Sequence, residues 1–146
     1  MKRFIFVLSV FLPIICMAQQ NVVTIQHLNK LQDETYIYAV IVAVVAFALS
    51  FFIANLIPHE GGDDRSYIKR RVEYIIILFL QASGFFIYNA YFVSNKIINP
   101  GFQNMFDKTN IKCLGVTIVV YLVVSLIVML CFRRSKYGSI LGKVKD

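Results

Sequence analysis

The stretch YIYAVIVAVVAFALSFFIANLI, residues Tyr36–Ile57, decides the fold. It contains no charged side chain. At about 1.5 Å of rise per residue, a helix of this length crosses a hydrocarbon layer of roughly 30 Å. The stretch therefore predicts a transmembrane helix, which ends where Pro58 and the turn-forming Gly61-Gly62 follow.

Two further stretches of similar length and composition follow, at Tyr74–Val93 and Cys113–Phe132. Hydrophobic residues make up 58% of the 146-residue chain, whereas soluble domains contain about 45–50%. Because the excess lies in these blocks, it indicates contact with lipid. The sequence predicts one all-α membrane domain, residues 36–132, built as a bundle of three transmembrane helices.

The first 18 residues have the features of a secretory signal sequence. Lys2 and Arg3 form a positive region, an apolar stretch of about 12 residues follows, and Ala18 provides a small residue for cleavage. The apolar stretch is shorter than a comfortable span. We expect cleavage after Ala18; the alternative is that residues 1–18 stay attached as a fourth helix.

The sequence around the cleavage site also bears on the source. Acylation of Cys16, as in a lipoprotein, is disfavoured because Ile15 is bulky where lipoprotein signals need a small residue. The Ala-Gln ending resembles signal sequences common in Bacteroidota. This resemblance implies a bacterial source, and we expect a multi-pass protein of the bacterial inner membrane.

The remaining segments are polar. We expect residues 19–35 to form an exposed arm or a short surface helix, and residues 133–146 to form a basic tail. The loop between the second and third spans contains Asn99-Pro100-Gly101, a turn signal. The connection His59–Asp64 is interpreted as a solvated turn rather than as an ion-binding loop, because it lacks the ligand spacing of such loops.

The distribution of Lys and Arg predicts the orientation. Eleven lie on the side of the C-terminal tail and four on the other side, and cytoplasmic loops carry the excess of such residues. We therefore expect the mature N-terminus outside and the C-terminus in the cytoplasm. The eleven are Lys2, Arg3, Arg65, Lys69, Arg70, Arg71, Arg133, Arg134, Lys136, Lys143 and Lys145; the four are Lys30, Lys96, Lys108 and Lys112.

One face of the first span consists of small residues. They recur at steps of three and four, so they fall on one side of a helix. Small faces let helix backbones approach closely in lipid. The face is therefore a predicted packing or partner contact, formed by Ala39, Ala43, Ala46, Ser50 and Ala54.

The second span carries a polar stripe in which Gln81 lies near the middle of the bilayer. An unpaired amide at that depth costs several kcal/mol, so we expect Gln81 to hydrogen-bond to another helix; the alternative is that it lines a polar path. Gly84 and Tyr88 share the stripe and are predicted contact residues. At the cytoplasmic edge, Glu73 is expected to pair with the neighbouring Arg70 and Arg71.

The third span has Thr117, Tyr121 and Ser125 at four-residue spacing. The two hydroxyl residues can bond their own backbone carbonyls, whereas Tyr121 requires a partner. We expect this stripe to dock against the Gln81 face.

No arrangement of residues indicates catalysis, a cofactor or a metal site. The net charge of +7 reflects membrane orientation, and we expect no nucleic-acid partner.

Three hypotheses remain: a non-catalytic subunit of a bacterial envelope assembly of the secretion or respiratory type, a small channel or transporter formed by oligomerisation, and, least favoured, a membrane enzyme. The expected partners of the protein are the lipid bilayer and either other membrane subunits or further copies of this chain.

Cleavage of the signal is directly testable. Because the apolar stretch is short and Ala18 provides a cleavage site, the mature chain should begin at Gln19. Intact-mass measurement of protein purified from native membranes should give the mass of residues 19–146. A mass that includes residues 1–18 would make the protein a four-helix one.

Overall fold

The computed structural model describes residues 22, 24–57 and 66–132, and this part of the chain is helical. Each of its three long helices has the length and apolar composition needed to cross a membrane. The predicted all-α membrane protein with three transmembrane helices is therefore confirmed. The helices are α1 (Ile25–Leu56), α2 (Ser66–Tyr88) and α3 (Pro100–Cys131).

Several predicted segments fall outside the described residues. They are the signal sequence 1–18, the first part of the arm 19–35, the turn His59–Asp64 and the tail 133–146. Their boundaries stay predictions.

Helix α1 starts earlier than the predicted span at Tyr36. The Thr24 hydroxyl accepts a hydrogen bond from the His27 amide at 3.4 Å and so caps the helix. The polar segment then continues as helix because Leu28 is fully buried and Lys30 lies 3.9 Å from Glu34, one turn on. The second part of the predicted arm is thus an extension of the transmembrane helix.

Helix α3 also begins before its predicted span. Asn99-Pro100-Gly101, predicted as a turn, is the helix start: the Asn99 side chain accepts a hydrogen bond from the Gly101 amide at 2.9 Å. Pro100 occupies the first helical position, where its missing N–H costs nothing. The same residues that favour a turn therefore initiate α3.

Helix α2 changes geometry at one end. It begins at Ser66 rather than at the predicted Tyr74, and after Tyr88 it continues as a π turn, Asn89–Val93, and a 3-10 turn, Ser94–Lys96. Short π segments occur frequently at functional sites. Together these elements form one candidate span.

The helices alternate in direction, so α1 and α3 run parallel and α2 runs against them. We call the two ends of the bundle the Pro100 end and the Phe132 end. At the Pro100 end, residues from all three helices and the turn after α2 form one buried apolar cluster. Its buried members are Val22, Leu28, Val93, Ile97 and Phe106.

The small face of α1 is turned into the bundle. Ala39, Ala43, Ala46, Ser50 and Ala54 are all buried, together with Leu28 and Thr35 on the same side of the helix. Opposite Ala43 and Ala46 lies the large Tyr121 of α3. Small residues on one helix thus accommodate a large side chain on another, which is how transmembrane helices pack closely.

Large apolar side chains cover the outside of the bundle. They belong to all three helices and include Ile41, Phe52, Phe79, Leu80, Leu122 and Leu130. An exposed apolar surface that surrounds the whole bundle is typical of contact with lipid.

The packing of the small face of α1 predicts that the same substitution has different effects on stability at two positions. Ala43→Phe forces a large ring into a closed contact and should destabilise the bundle by about 1–3 kcal/mol. Ala48, also in α1, is exposed, so Ala48→Phe should leave stability unchanged. Denaturation of the purified variants in detergent measures both; equal stability of the two would contradict this packing.

Candidate functional site

Polar side chains from all three helices meet about two turns from the Phe132 end. We call this group the tyrosine cluster: Ser50 of α1, Glu73 and Tyr74 of α2, and Tyr121 and Ser125 of α3. It is enclosed by apolar residues of the bundle, including Phe47 and Leu78.

Hydrogen bonds between α2 and α3 organise the cluster. The Tyr74 hydroxyl donates to the Ser125 hydroxyl at 2.7 Å, and the Tyr121 hydroxyl donates to the backbone carbonyl of Tyr74 at 3.3 Å. The two aromatic rings lie 4.9 Å apart between centroids and are inclined by 34°. The pair of tyrosines therefore fixes the register of α2 against α3.

The predicted stripe on α3 is present, but its partner on α2 differs from the prediction. Thr117 donates to the Cys113 carbonyl at 2.7 Å, and Ser125 donates to the Tyr121 carbonyl, as expected for hydroxyls in a membrane helix. Tyr121 has an interhelical partner, as predicted. That partner is Tyr74 rather than Gln81.

Gln81 lies inside the bundle without the hydrogen bond that its sequence position predicts. Both polar atoms of its amide are buried, and neither has a hydrogen-bond partner in the described part of the chain. The reason lies in the neighbouring helices. Near this level α1 presents alanines, and the Thr117 hydroxyl is already bonded to its own helix. Within the described residues, the interhelical bond expected of Gln81 is therefore not formed, and a bond to a helix of another subunit stays a prediction.

The environment of Glu73 also differs from the one predicted. Its carboxylate lies beside Ser50, inside the bundle. Both oxygens are buried, and neither accepts a hydrogen bond from Arg70, Arg71 or any other residue in the described ranges. The carboxylate thus lies in the interior, and Arg70, one turn before it on α2, is fully buried as well.

Two other predicted contact residues lie in different environments. Tyr88 is half-buried, packs against the apolar cluster of the Pro100 end and stacks on Phe92 with 5.5 Å between ring centroids. Gly84 is exposed, and a Cβ atom built on it would meet nothing within 4 Å. Among the described residues, nothing packs closely against Gly84.

A second group of polar side chains, at the π turn, was not predicted from the sequence. Ser94 donates to the Asp107 carboxylate at 2.7 Å, and Asn110 donates to the Phe86 carbonyl at 3.3 Å. Asn89 is also buried here. The available signal was three-residue spacing of Asp107 and Asn110 on one helix face, before the span predicted for α3.

The site offers no evident chemistry for metal binding. Within the residues that the structure describes, no three His, Cys, Asp or Glu side chains are grouped in a way that could hold a metal ion. No family model, curated protein or solved structure matches this chain. Its function has to be inferred from its own geometry.

The hydrogen bonds of the site predict opposite outcomes for two substitutions. Tyr74→Phe removes an interhelical bond and should destabilise the bundle by about 0.6–1.7 kcal/mol. Gln81→Leu removes a buried amide that has no partner in the described chain, so stability should be unchanged or higher. Denaturation of both variants in detergent tests this. A loss for Gln81→Leu as large as that for Tyr74→Phe would reveal a partner of Gln81 in the isolated chain.

Proposed function

We propose that this chain is a non-catalytic integral membrane subunit of a larger assembly in the bacterial cell envelope, of the secretion or respiratory type. The observation that supports this best is the mismatch between the composition of α2 and its exposure. Of the three candidate spans, the one formed by α2 is the least hydrophobic. Only 17% of its most apolar 18-residue stretch is buried, against 28% of the corresponding stretches of α1 and α3. The helix least suited to lipid is the one that the bundle covers least.

A partner helix resolves this mismatch. One side of α2 carries exposed residues at steps of three and four: Ile76, Leu80, Gly84, Ile87 and Tyr91. Such a series forms a straight seam along a helix. Gly84 lies at its centre, and a glycine in this position lets the backbone of another helix approach closely. We call this series the α2 seam.

Among the residues that the structure describes, no group of His, Cys, Asp or Glu could hold a metal ion, which supports a structural role. Ser50, Tyr121 and Ser125 of the tyrosine cluster are buried within the bundle, and so are the carboxylate oxygens of Glu73. Their hydrogen bonds join α2 to α3. Such a chain suits a scaffold role within an assembly.

The second candidate is a small channel or transporter. One observation favours it: buried polar atoms without partners in the described chain occur near the Phe132 end, at the middle and near the Pro100 end, in Glu73, Gln81, Asn89 and Asn110. Buried groups of this kind are commonly satisfied by water. Co-purification, described below, separates the two candidates, because the assembly subunit requires other membrane proteins as partners whereas the channel requires only further copies of this chain.

The proposed location is the inner membrane, with the C-terminus in the cytoplasm. The excess of Lys and Arg on the Phe132 side supports this orientation. An alkaline phosphatase reporter, which is active only outside the cytoplasm, should be inactive when fused after Asp146. The same reporter inserted between Asn99 and Pro100 should be active. The reverse pattern would overturn the orientation.

Two glycines provide a matched test of the assembly role. Gly84 in α2 and Gly115 in α3 are both exposed helical glycines with nothing within 4 Å of an added Cβ. Both positions are exposed, so a side chain there points away from the bundle, and leucine has the higher helix propensity. Gly84→Leu should separate the chain from its partners when native membranes are solubilised in mild detergent, whereas Gly115→Leu should not.

The readout is quantitative mass spectrometry of the proteins that co-purify with each full-length variant. Equal retention of partners by the two variants would contradict docking at Gly84. Purification of the unmodified chain as a homo-oligomer alone would favour the channel.

A further inference from the structure

A groove of about 480 Å³ lies between α1 and α2 near the Phe132 end and opens toward the outside of the bundle. Its walls are aliphatic except for Lys69 and Glu73. The Glu73 carboxylate is buried beside Ser50, whereas the Lys69 side chain is exposed. The outward-facing surface of the groove is thus formed by aliphatic side chains and the Lys69 ammonium. The aliphatic residues are Ile53, Ile68, Val72, Ile76 and Ile77.

The polarity of the groove changes with depth. Lys69 lies about one turn from the start of α2 at Ser66, and on the other wall Ile53 lies about one turn before the end of α1 at Leu56. Lys side chains near the ends of membrane helices reach the headgroup region. From Lys69 to Ile77 the rise along α2 is about 12 Å, and the accessible walls over this depth are aliphatic. The groove therefore matches a molecule with a charged end at the membrane surface and an apolar chain that reaches into the membrane.

The sign of the local charge specifies the charged end of that molecule. Lys69 is a cation, and the N-terminus of α2 adds a partial positive charge at nearly the same level. In the sequence, basic residues outnumber acidic residues on the Phe132 side. Basic residues next to a membrane helix attract anionic lipids. An anionic headgroup is therefore favoured over a zwitterionic one.

We propose that the groove binds one anionic phospholipid from the leaflet at the Phe132 end. An acyl chain lies along Val72 and Ile76, and the headgroup phosphate lies beside the Lys69 ammonium. This inference goes beyond the proposed function and does not rest on it.

Two segments of this chain that continue from the helices at this end suit the groove less well. The connection 58–65 contains no aliphatic side chain that would match the walls. The tail 133–146 contains Ile140 and Leu141 but also five basic residues, and like charges placed beside Lys69 are unfavourable. Both segments, and a helix of another protein, are distinguished from lipid by crosslinking.

Site-specific photo-crosslinking in native membranes identifies the occupant. A photoreactive amino acid replaces Ile53 on the α1 wall, with Ile127 of α3 as the control, because both side chains are exposed near the Phe132 end. Lipid adducts at Ile53 should be enriched in anionic phospholipid relative to those at Ile127. The same lipid composition at both positions would overturn the inference, and so would adducts of Ile53 with peptides of this chain or of another protein.

Lipid binding by the purified full-length protein tests the role of Lys69. Delipidated protein in mild detergent is mixed with phosphatidylglycerol and phosphatidylethanolamine that have identical acyl chains, and native mass spectrometry counts the bound lipids. The unmodified chain should retain one phosphatidylglycerol in preference. Lys69→Gln should lower this preference about fivefold, the factor that corresponds to the roughly 1 kcal/mol contributed by one basic residue at a membrane surface.

The control for Lys69→Gln is Lys112→Gln, which removes an exposed lysine near the Pro100 end. It should leave the lipid preference unchanged. Equal retention of the two lipids by the unmodified chain, or equal effects of the two substitutions, would refute the proposed headgroup contact.

A second pair of variants tests the acyl-chain contact. Val72 in the groove wall and Val119 of α3 are exposed to similar extents, 50% and 58%. Val72→Phe places a ring in the groove and should lower the binding of both lipids severalfold, because the ring excludes the acyl chain. Val119→Phe should not lower it. Unchanged binding by Val72→Phe would show that the lipid does not occupy this groove.

The comparison with Gly84→Leu separates this inference from the assembly role. Ile76 belongs to both the groove and the α2 seam, so a docked partner helix would lie against the bound acyl chain. Gly84 lies about 22 Å along α2 from Lys69, so Gly84→Leu should leave the lipid preference of the purified chain unchanged whether or not it releases protein partners. A loss of preference as large as that for Lys69→Gln would refute the site in the groove and leave the assembly role untouched.

Discussion

Close packing at the small face of α1 is the interaction on which the rest of the structure depends. In lipid, each helix satisfies its own backbone hydrogen bonds, and apolar side chains gain nothing by leaving one hydrocarbon environment for another. Association must then come from close fit and from a few polar contacts. The buried Ala39, Ala43 and Ala46 supply the fit, and Tyr121 fills the space that they leave.

This fit also determines what the polar residues can do. With α1 contributing alanines at the middle of the bundle, hydrogen bonds concentrate between α2 and α3, where Tyr74, Tyr121 and Ser125 are linked. Gln81 and Glu73 are enclosed in the same interior without hydrogen-bond partners in the described chain. The bundle is thus well packed, but these buried polar atoms are not satisfied within the described chain.

Residue pattern predicted the helices and their inward faces because lipid imposes a strong constraint on length and composition. Ala39, Ser50 and Ala54 share one side of a helix by spacing alone, and all are buried. The starts of α1 and α3 were not predictable from hydrophobicity, since caps at Thr24 and Asn99 and burial of polar stretches decide them.

Pairing between helices was harder to infer than the helices themselves. The stripe on α3 was correctly expected to find a partner on α2, but Tyr74 took the position expected for Gln81. A shift of one or two turns between two antiparallel helices changes every such pair, and spacing along one helix contains no information about it. The inward turn of Glu73 and the polar group at the π turn depend on tertiary geometry in the same way.

The packing of the small face of α1 against α3 can be tested directly by crosslinking. Ala39 and Cys113 lie in one buried cluster between α1 and α3. A variant with Ala39→Cys, and with the exposed Cys131 replaced by serine, should form an intramolecular disulfide with Cys113 on mild oxidation, because disulfides require Cα atoms within about 7 Å. Ala48→Cys in the same background should leave Cys113 as a free thiol. Failure of the Ala39 variant to crosslink within one chain, or crosslinking between chains only, would contradict the packing on which the account rests.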